Sequence, residues 1–464
     1  MSKIPVIAVF DVGKTNKKLF LFDEEYRIVY ENAARFTETE DEDGFPCDNL
    51  DNLRQALFDS LRQIISRDEF HVKAVNITTY GASFVYVGQQ GEPLTPLYNY
   101  LKPYPPGLQR QFYATYGGEE RLSLETASPV LGSLNSGLQL YRIKYEQPDT
   151  FRRIRYALHL PQYMSYLLTG RAGADITSIG CHTHLWDFGK GNYHEWVEKE
   201  DLLPRLGPLL SSDSVSACSF AGAELRAGIG VHDSSAALIP YLVNFREPFV
   251  LISTGTWCIS LNPFNESPLT AEELKEDCLC YLSYEGKPVK ASRLFAGHEH
   301  DQQVQRIAAH FNEDGSKYKS IAFDRALAES LGQRHPLPAA QAGGDILKRS
   351  LFDARSLDDF SSYEEAYHQL MLDLVAQQYA STRLVLEGTP VKRIFVDGGF
   401  SDNPVYMNLL AAAFPGQEVY AAIMAQATAL GAALAIHTSW HSGPYPTNIM
   451  ELRSYSAPQL KVIG

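Results

Sequence analysis

Four short stretches of this sequence carry residues whose types and spacing could do chemistry. In Asp397-Gly398-Gly399-Phe400-Ser401-Asp402-Asn403, two glycines follow Arg393-Ile394-Phe395-Val396, which reads as a buried strand. Adjacent glycines let a backbone turn sharply or let a ligand come close. Asn403 is a preferred helix cap, and Pro404 suits the first helical position. Strand, glycine turn and capped helix make a cradle for a nucleotide, although an ordinary strand-to-helix turn uses the same residues. Two further stretches, Asp11-Val12-Gly13-Lys14-Thr15-Asn16 and Thr254-Gly255-Thr256-Trp257, each follow an apolar run and precede another. The fourth, His232-Asp233-Ser234-Ser235-Ala236-Ala237, brings a carboxylate to a helix start after Gly228 and Gly230. A helix N-terminus stabilises the anionic form of such an acid, and an aspartate there can also serve only as a cap.

The elements that position these residues repeat. Val6 to Phe10 and Phe249 to Ile252 read as buried strands, and Lys18 to Phe22 and Cys258 to Leu261 read as the strands that return from them. The same hairpin opens each half of the chain, which predicts two related domains facing each other, each offering a turn to phosphate. Gly13-Lys14-Thr15 imitates the end of a P-loop. That loop needs a glycine where Ala8 stands and a helix where the next strand begins, so a P-loop nucleotidase is excluded. Lys14 either supplies positive charge to a phosphate or is a solvated turn residue. Leu50, Leu53, Leu57, Leu61, Ile64 and Ile65 form one apolar stripe, so residues 48–65 are predicted helical. Val72 to Thr79 is the next strand and ends at Tyr80-Gly81-Ala82-Ser83, whose small residues suit a sugar site or a plain turn.

Further along, helices are predicted at 107–116 and 135–146. Tyr156 to Leu168 reads as a helix or helix pair stopped by Gly170. Cys181-His182-Thr183-His184 reads as a polar loop, since no further metal ligand is evident from spacing. The helix opened by Asp233 is expected to end at Pro240, with a hinge at 244–248. His298-Glu299-His300-Asp301 reads as an exposed helix start, and Ala342-Gly343-Gly344 as a loop near the nucleotide. Ser361 to Glu387 has an apolar helical face. Val419 to Ile436 divides into a short strand and an Ala-rich core helix, not a membrane span. The tail after Trp440 is expected to be irregular and to pack back on the N-terminal half.

In this order the four stretches resemble those of the FGGY carbohydrate kinases, a branch of the actin-like ATPases. The likeness runs from Val6 to about Ile436, and residues 427–433 match the family's closing helix. Leu160-Pro161-Gln162-Tyr163 through Leu167-Leu168-Thr169-Gly170, His232 to Ala236, and Ser253 to Trp257 look most like the family's L-rhamnulokinases. The resemblance implies an α/β fold of two RNase H-like (actin-like ATPase) domains with a central cleft. Residues 1–244 would carry the sugar and the catalytic base, and residues 245–464 would carry ATP. It implies Asp233 as the general base and Asp11 as the residue that holds Mg²⁺ through water. Gly13, Lys14, Thr15, Asn16, Gly255 and Thr256 would face the phosphates of ATP, with Gly398, Gly399 and Asn403 against the rest of the nucleotide. Gly81, Ala82, Ser83, His232 and Asp233 are expected at the sugar. Two departures stand out: Lys14 replaces the family's usual Thr, and Tyr98-Asn99-Tyr100-Leu101-Lys102-Pro103-Tyr104 lacks a Trp-x-Asp-x-Arg-like sugar signature. The implied substrate is a ketose phosphorylated on O1, L-rhamnulose foremost, with L-fuculose, ribulose or xylulose as alternatives. Actin-like cores also serve as ATP-driven chaperones, filaments and non-catalytic nucleotide-binding proteins; sugar-stimulated ADP formation separates these from a kinase.

Bulk properties agree with that reading. The chain has 464 residues and a formal net charge of -14, enough length for two or three domains and too much negative charge for a nucleic-acid partner. Six cysteines are too sparse for a disulfide framework and point to the cytoplasm. Cys278 and Cys280 share a strand face, but no second pair completes a metal site. Asp11 interrupts the first apolar run, so no secretory leader is expected. The expected partners are a small sugar and ATP, with no nucleic acid and no membrane, and a homodimer is left open.

Overall fold

The computed structural model describes residues 3–14, 16–34, 37–336, 346–424 and 426–456. The chain forms two compact α/β units. The first comprises residues 1–246 with 280–288 and 425–449, and the second comprises 247–279, 289–424 and 450–464. The division near 246 lies close to the expected 244/245 boundary. Residues 280–288 and 425–449, expected in the second domain, group with the first unit instead.

In the first unit β1 (Ile4–Val12) is the centre of a seven-stranded sheet. It runs antiparallel to β2 (Lys17–Phe22), which pairs antiparallel with β3 (Ile28–Ala34). On its other side it runs parallel to β4 (Phe70–Thr79). Beyond β4, β5 (Val215–Phe220) and β6 (Ala223–Gly228) form an antiparallel pair, with β6 parallel to β4. The short β7 (Val231–His232) also runs parallel to β4. Val6 to Phe10 are buried throughout, as a central strand covered on both faces requires. The register sets three strand ends side by side: Asp11 pairs with Thr78, and Thr78 pairs with Val231. Ligands in such sheets bind outside the carboxyl ends of parallel strands.

The expected helix over 48–65 spans Leu50–Ile65, capped by Asn49, whose side chain accepts from the Asn52 amide. Tyr156–His159, expected to be helical, is a strand paired antiparallel with Phe84–Val87. The helix begins only at Leu160, because Pro161 is tolerated in a first turn but not in a helix interior. It stops at Gly170 in the left-handed region, at φ 65°.

The helix opened by Asp233 does not stop at Pro240 but runs to Asn244. Pro240 has no N–H to donate to the Ala236 carbonyl one turn back. Gly431, on the helix Ala427–Ala435, packs against that same carbonyl: a Cβ on Gly431 would lie 1.8 Å from Ala236 O. A lost helix bond and a close helix contact therefore share one oxygen, and this packing ties 425–449 to the first unit.

The second unit repeats the plan. Its sheet contains β8 (Phe249–Thr254), β9 (Cys258–Asn262), β10 (Cys278–Leu282), β11 (Pro288–Leu294), β12 (Arg393–Gly398), β13 (Glu418–Ile423) and β14 (Glu451–Tyr455), in the order β10-β11-β9-β8-β12-β13-β14; the end of β10 and the first residue of β11 fall in the segment 280–288 that groups with the first unit. β8 stands where β1 does, with an antiparallel hairpin partner in β9 and a parallel neighbour in β12. The tail is not wholly irregular: β14 adds an antiparallel edge to β13. The long helix is Tyr363–Leu386, capped by Ser362. The helix Ala296–Phe311 buries Gly297, His300, Val304, Ile307 and Ala308. That spacing is one helix face, so His300 points inward and the expectation of an exposed cluster at 298–301 does not hold for it. The Ala342-Gly343-Gly344 loop lies outside the described residues. No helix among the described residues is long and apolar enough to cross a membrane.

Candidate active site

In the first unit, Asp233 is the first residue of its helix, directly after β7. Its Oδ1 accepts from the Ser234 amide at 2.6 Å and lies 3.2 Å from His232 Nε2. A third of its side chain, 33%, stays accessible. The chain packed around it still raises its carboxyl to about 6 by burial, against the pull of the Ser234 hydrogen bonds. A carboxylate of that strength, open to a ligand, is matched to proton transfer near neutral pH. Asp11 stands at the end of β1 and is likewise only part-exposed. Burial and then the charge of Asp233 raise it to about 7, with Lys18 opposing.

The loop that presents Asp233 rests on residues the sequence reading did not single out for that purpose. Thr177 Oγ1 accepts from the His232 amide at 2.9 Å and itself donates to Asp175 Oδ1. Asp175 also accepts from Ser212 at 2.6 Å and from the Thr177 amide at 2.9 Å. Buried hydrogen-bonded chains of this kind fix backbone position. Gly81 packs on His232: a Cβ there would lie 2.7 Å from the imidazole. Ala82 O accepts from Gln139 at 2.9 Å, and the Ser83 hydroxyl donates to Tyr98 O at 2.9 Å, with both residues buried. Gly81, Ala82 and Ser83 line a cavity of ≈ 10 Å³ together with His159, Cys181 and His232, room for one water-sized species.

The turn after β1 is closed by the Gly13 amide donating to Asn16 O at 2.9 Å. Asn16 is exposed, and Thr15 lies outside the described residues. The Lys14 ammonium is held by Glu38 at 2.9 Å and Asp48 at 3.1 Å. Asp48 also receives Lys17 at 2.8 Å and the Tyr80 hydroxyl at 2.7 Å. Burial alone would raise its carboxyl, but Lys17, Tyr80 and Lys14 outweigh burial and hold it below the usual range. Lys102, in the segment lacking the sugar signature, is likewise bound, to Asp41 and Asp43 at 2.6 Å each.

The second unit carries a cavity of ≈ 470 Å³, within the size range of small-molecule sites. Thr254, Gly255, Thr256, Gly399, Phe400 and Asn403 line it, so both predicted glycine turns meet there. Gly398 has φ +80°, and a Cβ on it would lie 1.9 Å from Thr254 O. The neighbouring Gly399 has no heavy atom within 4 Å of its Cβ position, and its amide donates to Thr254 O at 2.9 Å. Gly398 therefore makes the turn and Gly399 leaves the space. Asn403 caps the helix Pro404–Ala413, accepting from the Val405 and Tyr406 amides, and donates to the Tyr367 hydroxyl at 2.7 Å. Gly297 and His300 also line the cavity. A Cβ on Gly297 would lie 1.8 Å from Gly255 O, and the His300 ring meets Phe400 edge-on at 5.2 Å. Neither was singled out from sequence as a pocket residue. The 3.6-residue period of their helix was the available signal, masked because glycine, histidine and glutamine occupy its inward positions.

Comparison with known proteins gives one family for both units. Residues 6–212 match the N-terminal domain of the FGGY family of carbohydrate kinases, and residues 246–444 match the C-terminal domain of carbohydrate kinase FGGY. A rhamnulokinase of Halalkalibacterium halodurans is 26% identical over 265 residues, 54% of each chain. An L-fuculokinase of Escherichia coli K12 is 26% identical over 278 residues, 55% of this chain and 56% of its own. The matched stretch thus spans about half the length of these curated relatives. A carbohydrate kinase from Novosphingobium aromaticivorans, 21% identical, superimposes with a TM-score of 0.80 over 98% of this chain and 97% of its own, a likeness of fold.

Proposed function

Since this chain belongs to the FGGY family of carbohydrate kinases, we propose that it transfers the γ-phosphoryl group of ATP to a sugar hydroxyl. The observation that carries the reading is Asp233: a carboxyl raised to about 6, a third exposed, at the end of a strand and the start of a helix. A sugar hydroxyl is a poor nucleophile until its proton has somewhere to go. Asp233 accepts that proton as the oxygen–phosphorus bond forms and ADP leaves. His232, held by Thr177, keeps the carboxylate in place from one side. The open face of Gly399 and the Gly255-Thr256 turn suit a nucleotide, whose phosphates backbone amides can cradle. Gly13 to Asn16 are assigned to the phosphates as well, with the Lys14 charge neutralised by Asp48 and Glu38.

The donor set also fits Mg²⁺. Asp11 is a hard oxygen donor raised by the neighbouring charge of Asp233, and a divalent cation beside it offsets such repulsion. Asp11 would hold the ion through water, where Mg²⁺ supplies charge neutralisation to the transferring phosphoryl group.

For the acceptor we infer a ketose phosphorylated on O1, L-rhamnulose first and L-fuculose or a ketopentose next. The short matches around Leu160, His232 and Ser253 support it, as do relatives named rhamnulokinase and L-fuculokinase. A pocket for one methyl discriminates by only about 1–3 kcal/mol, so related ketoses should leak. The test is sugar-dependent ADP release, with kcat/KM measured for L-rhamnulose, L-fuculose, L-ribulose, D-xylulose and glycerol. A lead by glycerol or D-xylulose of tenfold or more overturns the substrate assignment. No turnover with any of the five overturns the kinase reading.

A further inference from the structure

Beside the candidate base, Cys181, His182 and His232 each present a ligand atom, one sulfur and two ring nitrogens, within 4.8 Å of one another. All three side chains are buried, at 2%, 6% and 3% exposure. They come from separate places, two from the loop after the helix Ile176–Ile179 and one from the end of β7. Acceptors set the protons on both rings. His182 Nδ1 lies 3.2 Å from the Leu134 carbonyl, which can only accept, so Nδ1 carries the hydrogen and Nε2 the lone pair. His232 Nε2 lies 3.2 Å from the Asp233 carboxylate, and its Nδ1 is buried with no hydrogen-bond partner. An imidazole whose second nitrogen donates to a carbonyl or carboxylate is the usual arrangement of a metal-binding histidine.

We propose that Cys181, His182 and His232 bind one borderline-soft divalent cation of the Zn²⁺ class. One sulfur and two imidazoles are donors that Zn²⁺ accepts and Mg²⁺ does not. Ligand atoms on one tetrahedral Zn²⁺ stand about 3.5 Å apart, given its bond lengths. The cluster reaches that spacing by side-chain shifts on the order of an ångström. On binding, the Cys181 S–H bond breaks, the sulfur–metal bond forms and the proton passes to solvent. The site is independent of the Mg²⁺ assigned to Asp11 and does not depend on the phosphoryl-transfer reading.

The test is metal titration of the full chain, stripped with chelator and kept under a non-thiol reductant. Co²⁺ should produce a near-ultraviolet thiolate-to-cobalt band that Zn²⁺ removes and excess Mg²⁺ does not. Cys181→Ser should abolish the band and weaken Zn²⁺ by at least ~10-fold, the lower end for losing even an outer-shell partner. His182→Gln should also weaken Zn²⁺, and Cys218→Ser, outside the cluster, should leave affinity unchanged. Circular dichroism of each variant identifies any that fails to fold, in which case the other cluster variant decides. No cobalt band in the unaltered chain, or a folded Cys181→Ser or His182→Gln protein with undiminished Zn²⁺ affinity, overturns the proposal.

Discussion

Asp11 responds to Asp233: after burial, the Asp233 charge is the largest influence raising the Asp11 carboxyl, which stands at about 7. The native state thus keeps a proton on Asp11 that the unfolded chain, with a carboxyl at 3.8, gives up. The associated stability is fully present below about pH 4 and is lost as pH rises through about 7. Asp233 and Asp175, both at about 6, act with the same sign. Asp11→Asn should therefore melt several degrees above the unaltered protein at pH 8, and the gap should narrow by pH 5.5. Melting curves across pH 5.5–8.5, without added metal, check this; a gap that widens on acidification contradicts it.

Asp233→Asn keeps size and polarity but cannot take a proton. We expect kcat to fall by at least ~10²-fold, the lower end for a general base, with sugar affinity little changed. In the unaltered protein, kcat/KM should decline as pH drops through about 6, where the Asp233 carboxyl becomes protonated. That acid limb should be missing from whatever activity the variant retains. Near-normal kcat would remove Asp233 from the mechanism.

The two glycines after β12 should respond in opposite ways. Gly399→Val adds a side chain into open space, so folding should survive while nucleotide affinity drops about tenfold or more, on the order of 1.4 kcal/mol. Gly398→Ala meets the Thr254 carbonyl from a left-handed backbone and should lower the melting temperature. Calorimetry with ATP and thermal melts separate the two. Unchanged ATP affinity in Gly399→Val would leave the pair as a simple turn.

Gly431→Ala should cost about 1–3 kcal/mol, the usual range for overpacking, because its Cβ would stand 1.8 Å from Ala236 O. Gly416→Ala, with nothing within 4 Å of the new atom, serves as the control. Equilibrium denaturation measures both. A Gly431→Ala protein as stable as the control would mean that the two helices separate without cost.

What the sequence by itself determined is local. Apolar runs too long to alternate marked β1 and β8, and small polar turns after them marked the repeated hairpins. Asn403 and Pro404 marked a helix start, and the stripe from Leu50 to Ile64 marked a buried face. Each of these acts through neighbours a few residues away, so residue type and spacing suffice to read it. What only the tertiary structure decided is which distant groups share one space. The Lys14 charge is neutralised by Asp48, 34 residues on, and the Ser83 hydroxyl is used on Tyr98 O. Pro240 leaves the Ala236 carbonyl without its helix bond and the chain still continues as helix to Asn244, with Gly431 of a second helix packed against that oxygen. Thr177 holds the residue before Asp233 across 55 positions, and Cys181 and His182 lie beside His232 at the end of β7, the strand that pairs with β4. Strand register and helix packing bring these partners together, and both depend on the whole chain burying its apolar surface at once.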